Sequence, residues 1–590
     1  MKTKYFKILF LIPFILGLGS CKDYLDMPSE ADKSEKDVFG TYYNFQGYVD
    51  QMYPLVVDPI RNYLTSDGCH GGEAISNTSW ATGYKAVRSD YGQIQSRGYY
   101  QTNAFAATPN DVGIWATAWY SIRMCNLGLK NFDLLEASQE EKNLIKGQLL
   151  YFRAYFHSEI LNAWGPIPYI NEVLVDDVKK PRYYEYKGKK NFQATTEYIV
   201  DDLTEAAELL PAYWPDPTTQ LGRATKLAAL SYKAKALIFA GSPLMNENSG
   251  EEAVVNKEYM QRGAIAADEA IKVAESNPAH YGLVDFKDYQ RNFATTDKTV
   301  PWTKETVWAQ YANIFGRGNY DNRVGRIHTP NSATFGGNAV NNTPTQNYID
   351  KFEMKDGTLY DPAIHDNDNA KRWDFRDPRL RKSVYLDRDT AGAEKKLEMF
   401  SGGATIKTDN QLTPYIIAKF WPRGVDGKAG TLILNFAYTV PLMRLAEIYL
   451  FYAEAANLGY SANGNDGSVK APGATYTALE AVNKVRERAG QIQTTATGGA
   501  HGNFQTMIMN ERAVEMCFEA NQYWHDIRRY KIGESLNNTP IYTLDFDKNW
   551  TLFQRREILK RTFEKKHYWM PFPRTLTFMY EGFPQNEGWN

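Results

Sequence analysis

Residues able to grip a polar ring concentrate in two glycine-rich stretches. Between 65 and 113, Trp80 and Tyr84 lie near Asp67, Asn77 and Arg88. Between 312 and 347, Tyr320 lies beside Asn319, Asp321 and Arg323. An aromatic ring offers a flat apolar face, and the neighbouring amides, carboxylates and guanidinium groups supply directional hydrogen bonds. Sugar rings present apolar C–H faces and a rim of hydroxyls, so these two sets have the composition of a saccharide site. Long stretches without periodicity are functional or disordered, and this aromatic content argues against disorder. The expectation is two ordered surface loops on a helical base. The competing role for Trp80 or Tyr84 is to pin its loop to the helices. Packing is the expected role of Trp302, Trp308 and Trp373, which sit in more regular segments.

Catalytic patterns are sparse by comparison. The chain has no G-x-S-x-G elbow, P-loop, G-x-G-x-x-G or H-E-x-x-H. Cys69 and His70 are adjacent, a poor spacing for two ligands of one metal. "HDNDNAKRWDFRD" starts with EF-hand-like alternation at Asp366 and Asp368 but lacks the glycine and glutamate that such a loop needs. A solvated acidic loop is the expectation there. No catalytic residue, metal or cofactor is assigned. A carboxylate pair of the glycosidase type cannot be read from sequence spacing.

The N-terminus carries different chemistry. Lys2, Lys4 and Lys7 precede an apolar run from Ile8 to Gly19, which is too short for a membrane span of roughly 20 residues. It reads as an export signal over residues 1–20. The signal ends L-G-S-C, similar to a bacterial lipobox in which Cys21 is acylated and becomes the mature N-terminus. Two or more acyl chains anchor a protein stably where one does not. Residues 21–34 would then be a tether, and the lipid the only membrane attachment.

The helices must position the loops. "EEKNLIKGQLLYFRAYFHSEILNAW" places Leu144, Ile145, Phe152, Tyr155, Phe156 and Ile160 at helical spacing, and Gly165 and Pro166 stop it. "TKLAALSYKAKALIFAGSPL" and "RGAIAADEAIKVAES" carry alanines at three- and four-residue intervals, which permits close helix approach, as does "PLMRLAEIYLFYAEAANLG" with "ALEAVNKVRERAG". "NERAVEMCFEANQYWHDIRRYKIG" is expected as one helix, with Ala513, Met516, Cys517, Ala520, Trp524 and Ile527 on its apolar face. Such pairs resemble tetratricopeptide repeats but are scattered along the chain. The fold class expected is all-α: tetratricopeptide-like helix pairs forming a scaffold, with long irregular loops carrying the ligand site. Strand signals are sparse, "ETVWAQYA" and "TLILNF" being the best. Glu511, Arg512, Asp526, Arg528 and Arg529 are expected to pair between helices or to be solvated, and Arg444 with Glu447 to form a helix-surface pair. A net charge of −2 excludes a strongly basic footprint, so nucleic acid is not a partner. After the signal, no apolar run spans a bilayer. Cys69, Cys125 and Cys517 cannot all pair with one another, so a disulfide framework is not expected. The chain is 14% aromatic with 40 tyrosines, which suits packing between helices and amphipathic ligands alike.

Six segments taken in order resemble the SusD/RagB family of outer-membrane lipoproteins. They are "LLYFRAYFHSEILNAWGPIPYI", "GRATKLAALSYKAKALIFAGSPL", "FRDPRLRKSV", "VPLMRLAEIYLFYAEAANLG" with "AVNKVRERAG", "NERAVEMCFEANQYWHDIRRYK" and "YWMPFPRTLTF". The chain departs from the family at Ala520–Tyr523, where Gly and Arg are usual, and in its "PQNEGWN" terminus. The resemblance implies an N-terminal part over 35–245 and a C-terminal part over 246–590 in one compact body. It also implies a non-catalytic glycan receptor on the outer face of the outer membrane, partnered by a TonB-dependent, SusC-like transporter. Lys22 and Asp23 loosely fit the export pattern that follows the cysteine in such lipoproteins. In similar proteins the ligand contacts fall in the same parts of the chain as the two aromatic loops. A peptide or glycopeptide receptor is the alternative within the family, and a surface glycosidase the alternative outside it.

Overall fold

The computed structural model describes residues 34–589 except 58, 60–69, 77–81, 96–98, 103–112, 177, 298, 311–341, 369–371, 392–394, 410–411, 421–422, 424–436 and 520–521. Among the described residues nine helices build the scaffold: α1 Ile114–Lys130, α2 Gln139–Trp164, α3 Asn191–Leu209, α4 Lys226–Ala240, α5 Lys257–Glu275, α6 Leu445–Tyr460, α7 Ala478–Arg488, α8 Phe504–Glu515 and α9 Gln522–Arg529. From α1 to α7 each packs against the next, and α6 also packs against α8. The pairs scattered in sequence therefore stack side by side, even though about 170 residues separate α5 from α6. The fold is a helical scaffold of the expected class, and its core draws on residues from Phe39 to Phe583.

Local chemistry sets the helix limits. Ser138 and Glu141 form a capping box at the start of α2, and Gly165, with φ +84°, ends it where the sequence placed the stop. Packed between α1 and α3, α2 is buried on all faces over most of its length, a wider burial than its single apolar stripe suggests. The small residues do bring helices close: a Cβ on Gly263 of α5 would meet Ile238 of α4 at 2.7 Å. The expected single helix over 510–533 is instead broken. Helix α8 stops at Glu515, Phe518 adopts φ +63°, and α9 restarts at Gln522. Buried cations explain the break. Lys419 Nζ donates to the carbonyls of Glu515 (2.9 Å) and Cys517 (3.0 Å), and Arg444 Nη2 donates to that of Glu515 (3.1 Å). Those carbonyls need no amide four residues on.

The strands come in pairs. Of the two strand signals, "ETVWAQYA" is realised as β2 Thr306–Ala309, paired with β4 Pro441–Arg444, whereas "TLILNF" lies outside the described residues. A hairpin of β5 Pro540–Phe546 and β6 Phe553–Lys560 was not anticipated, because "FQRREILK" carries too many charges to read as a strand. A further pair, β1 Ala74–Ser76 with β3 Asn342–Pro344, joins the two glycine-rich stretches. Trp308 and Trp373 are buried as expected, while Trp302 is only half-buried. No described helix is long and apolar enough to cross a membrane. Cys125 and Cys517 are buried free thiols.

The charged residues depart most from expectation. Arg444 and Glu447 are not a surface pair: both are fully buried, and Arg444 is held by Glu305, Glu515 and Glu519. Arg379 binds Asp377, Glu511 and Glu515, Arg486 binds Glu353 and Glu511, and Arg488 bridges Glu305 and Glu515. Arg512 and Arg529 share Asp526 and Glu454. Of the two roles open to the α8–α9 charges, pairing holds for all but Arg528 and solvation for none. Arg528 has no carboxylate among the described residues and donates to the carbonyls of Asn162, Ala163 and Tyr568. Burial pulls it down to about 10. The acidic stretch at 365–377 is not simply solvated either. Asp366 is 7% exposed, accepts from Tyr360 (2.6 Å) and pairs with Arg555 of β6 (2.5 Å).

Glu447 carries a measurable consequence. Its two oxygens make no hydrogen bond among the described residues, and Arg512 lies 3.7 Å away. Burial raises its pKa to about 7 from an ordinary 4.5. A carboxyl raised on folding costs nothing below the unfolded pKa, and its penalty grows as pH rises to the folded value. At about 1.4 kcal/mol per unit, the penalty above pH 7 is on the order of 3 kcal/mol. Glu447→Gln should therefore match wild type near pH 4.5 and become progressively more stable than wild type up to pH 7. Urea denaturation at pH 5 and pH 8 checks this. A stability difference that does not change with pH would contradict it.

Candidate ligand-binding site

Strands β1 and β3 run antiparallel with Ala74 opposite Pro344, Ile75 opposite Thr343 and Ser76 opposite Asn342. Ser76, the last described residue before 77–81, therefore lies beside Asn342, the first described residue after 311–341. The junction is buried and tightly tied. Thr345 donates through its amide to the Glu73 carbonyl (3.0 Å) and through its hydroxyl to that of Gly72 (2.9 Å). Thr413 donates to the Pro344 carbonyl (2.7 Å). Gly72 adopts φ +82°, a conformation that L side chains rarely take, and a Cβ there would press on the Arg561 guanidinium at 2.5 Å. Arg561 itself donates to the Gly71 carbonyl.

The helix Thr82–Val87 returns from the first loop onto this junction. Val87 packs with Ile75 of β1 and Ile541 of β5. The Thr562 amide donates to the Val87 carbonyl, and Ser89 donates to the Thr562 carbonyl. Tyr84 and Arg88, one turn apart on this segment, are brought together: Arg88 Nη1 donates to the Tyr84 hydroxyl at 3.3 Å, and the guanidinium lies 5.8 Å from the ring centroid. Tyr84 is half-buried and Arg88 exposed, so a ring and a cation stand side by side with solvent access. Asp67, Asn77, Trp80, Asn319, Tyr320, Asp321, Arg323 and Cys21 lie outside the described residues.

Sequence reasoning passed over Glu73, directly before β1. It is 1% exposed, its Oε2 lacks a partner among the described residues, and burial lifts its pKa to about 8 against the pull of Arg561 and Lys351. The junction thus has an acid that is mostly protonated at neutral pH. The only hint in the sequence is its setting, "GGEAIS", glycines on one side and apolar residues on the other. Among the described residues no group of three or more His, Cys, Asp and Glu is placed to hold a metal.

Two family models match the chain. The one described as the SusD family matches residues 304–589, and the one described as starch-binding associating with outer membrane matches residues 23–238. SusD-like protein P2 of Formosa agariphila is 24% identical over 436 residues, 72% of each chain. Two solved structures from Bacteroides fragilis share the fold. One, a SusD-like protein, has a TM-score of 0.70 at 20% identity and covers 94% of this chain and 100% of its own. The other, a SusD-like carbohydrate binding protein, has a TM-score of 0.65 at 18% identity, covering 92% and 99%.

Proposed function

Since the chain belongs to the SusD/RagB family, we propose that it is a cell-surface lipoprotein that captures oligosaccharide or polysaccharide without cleaving it. It delivers the glycan to a TonB-dependent, SusC-like transporter in the outer membrane. The observation that carries this reading is the β1–β3 pair. Two aromatic-bearing stretches about 240 residues apart in sequence issue from one buried junction, with Tyr84 and Arg88 beside it. In this reading rings and hydrogen-bonding groups from both stretches meet one saccharide, as a glycan receptor requires. The lipobox-like Cys21 and a family description that names the outer membrane support the location.

Two outcomes check the mechanism. Purified protein incubated with a glycan panel should release no product, whereas release that survives repurification would make it a glycosidase. A pull-down from detergent-solubilised envelopes should recover a large barrel protein; recovery of the lipoprotein alone would contradict the partnership. Binding of peptides in place of glycans would establish the alternative receptor class.

A further inference from the structure

A second cleft of about 230 Å³ opens where the α3–α4 connection meets residues 279–281 and 302–307, sharing no residue with the β1–β3 junction. It far exceeds the roughly 30 Å³ of one water and falls below drug-sized pockets, a size for a single ring-shaped unit. Its walls are aromatic and fixed. Tyr213 stacks on His280 with centroids 3.7 Å apart and planes 15° from parallel. Trp214 donates its indole N–H to the Ala224 carbonyl at 2.8 Å, and Tyr281 donates its hydroxyl to that of Ala212 at 2.7 Å. Trp302 differs from these. It is half-buried, and among the described residues its ring meets no other ring and its indole N–H has no acceptor. A large apolar face and a donor are left for a ligand.

The charge of the cleft is one-sided. Among the described residues no aspartate or glutamate lines it, whereas Arg223 and Lys304 do. Arg223 is held by Asp50 at 2.5 and 2.9 Å and lies 5.7 Å from the Trp214 ring, so it braces the wall. Lys304 is exposed and, among the described residues, donates once, to the Pro278 carbonyl at 3.0 Å, which leaves ammonium protons for an anion. An apolar platform beside an uncompensated ammonium matches a ring that is apolar on its faces and anionic at one edge.

We infer that this cleft is a separate subsite for an acidic pyranose, a uronic acid unit of a polysaccharide, with Trp302 against the sugar face and Lys304 on the carboxylate. Carboxylated strands would thereby be held at a point apart from the loop site. The inference does not depend on the loops binding the same ligand.

The test uses the mature chain with trisaccharides of galacturonate, glucuronate and mannuronate, and neutral galactotriose as control, followed by saturation-transfer NMR titration. At least one uronate should bind, and galactotriose should bind about tenfold more weakly, the scale of one charge-assisted hydrogen bond. Trp302→Ala should weaken the uronate by about tenfold or more for loss of the ring face. Lys304→Gln, an exposed change that leaves the fold intact, should erase the preference for acid while keeping the neutral affinity. The subsite is overturned if no uronate binds, if galactotriose binds equally, or if either cleft variant behaves as wild type. Binding lost in Tyr84→Ala and kept in Trp302→Ala would place the uronate at the loops and overturn it too.

Discussion

Replacing Arg444 with methionine is expected to destabilise the protein by about 3–5 kcal/mol, the cost of leaving buried carboxylates without their cation. Arg444 is fully buried where β4 runs into α6, and it donates to Glu305 (2.5 Å), Glu515 (3.0 Å) and Glu519 (2.8 Å). Arg488 still serves Glu305 and Glu515, and Lys419 still serves Glu519, but the cluster loses a charge and three ion pairs at once. Methionine keeps the length of the stem, so volume is not the cause. The effect should depend on pH. Arg488, Arg444 and Arg379 hold Glu515 well below the usual carboxylate range. His501 and Arg486 hold Glu353 down to about 2. Carboxyls lowered on folding add stability above their unfolded value of 4.5, and that stability is lost as pH falls towards the folded values. Wild type should thus weaken between pH 4.5 and about 2, and Arg444→Met should unfold at a higher pH. Urea denaturation at pH 7 and an acid titration followed by circular dichroism measure both. A variant within about 1 kcal/mol of wild type would mean that the ion cluster is not what ties the 276–444 segment to the helices.

How much of this was legible in the sequence depended on the range of the interactions. Helix α2 was readable because its stripe, its capping serine and its Gly165–Pro166 stop are all local. The alanine-rich α4, α5 and α6 were readable as close-packing helices for the same reason, but their stacking across the insertion between α5 and α6 was not. The α8–α9 break was hidden because its causes, Lys419 and Arg444, lie about 70 to 100 residues away and act on backbone carbonyls. Arg444 and Glu447 misled through their spacing. A three-residue interval fits a surface pair, yet the partners that matter are Glu305 just before β2, Glu515 of α8 and Glu519 in the turn after α8. For the proposed site, the side-chain types of the two stretches were visible, whereas the pairing of Ser76 with Asn342 between them was not. Glu73 stayed unseen because one acid between glycines and an alanine carries no spacing signal. Trp302, expected to pack, is half-buried in a cleft instead.

The second large effect concerns the loops themselves. Covering one ring face removes about 50 to 80 Å² of apolar area, which is worth roughly 1 to 2 kcal/mol at about 25 cal/mol per Å². Two platforms and a few hydrogen bonds, less the cost of association, give a wild-type affinity between about 10 μM and 1 mM. Such capture is strong enough for a receptor that passes its ligand to a channel directly beneath. Loss of one platform should weaken binding by about 5- to 30-fold, and loss of both should abolish detectable binding. The most direct measurement is calorimetric titration of wild type, Trp80→Ala, Tyr320→Ala and the double variant with whichever glycan of a panel binds wild type. A stepwise loss of affinity in folded variants is the result predicted. If both single variants stay folded and bind as tightly as wild type, the proposed site is wrong.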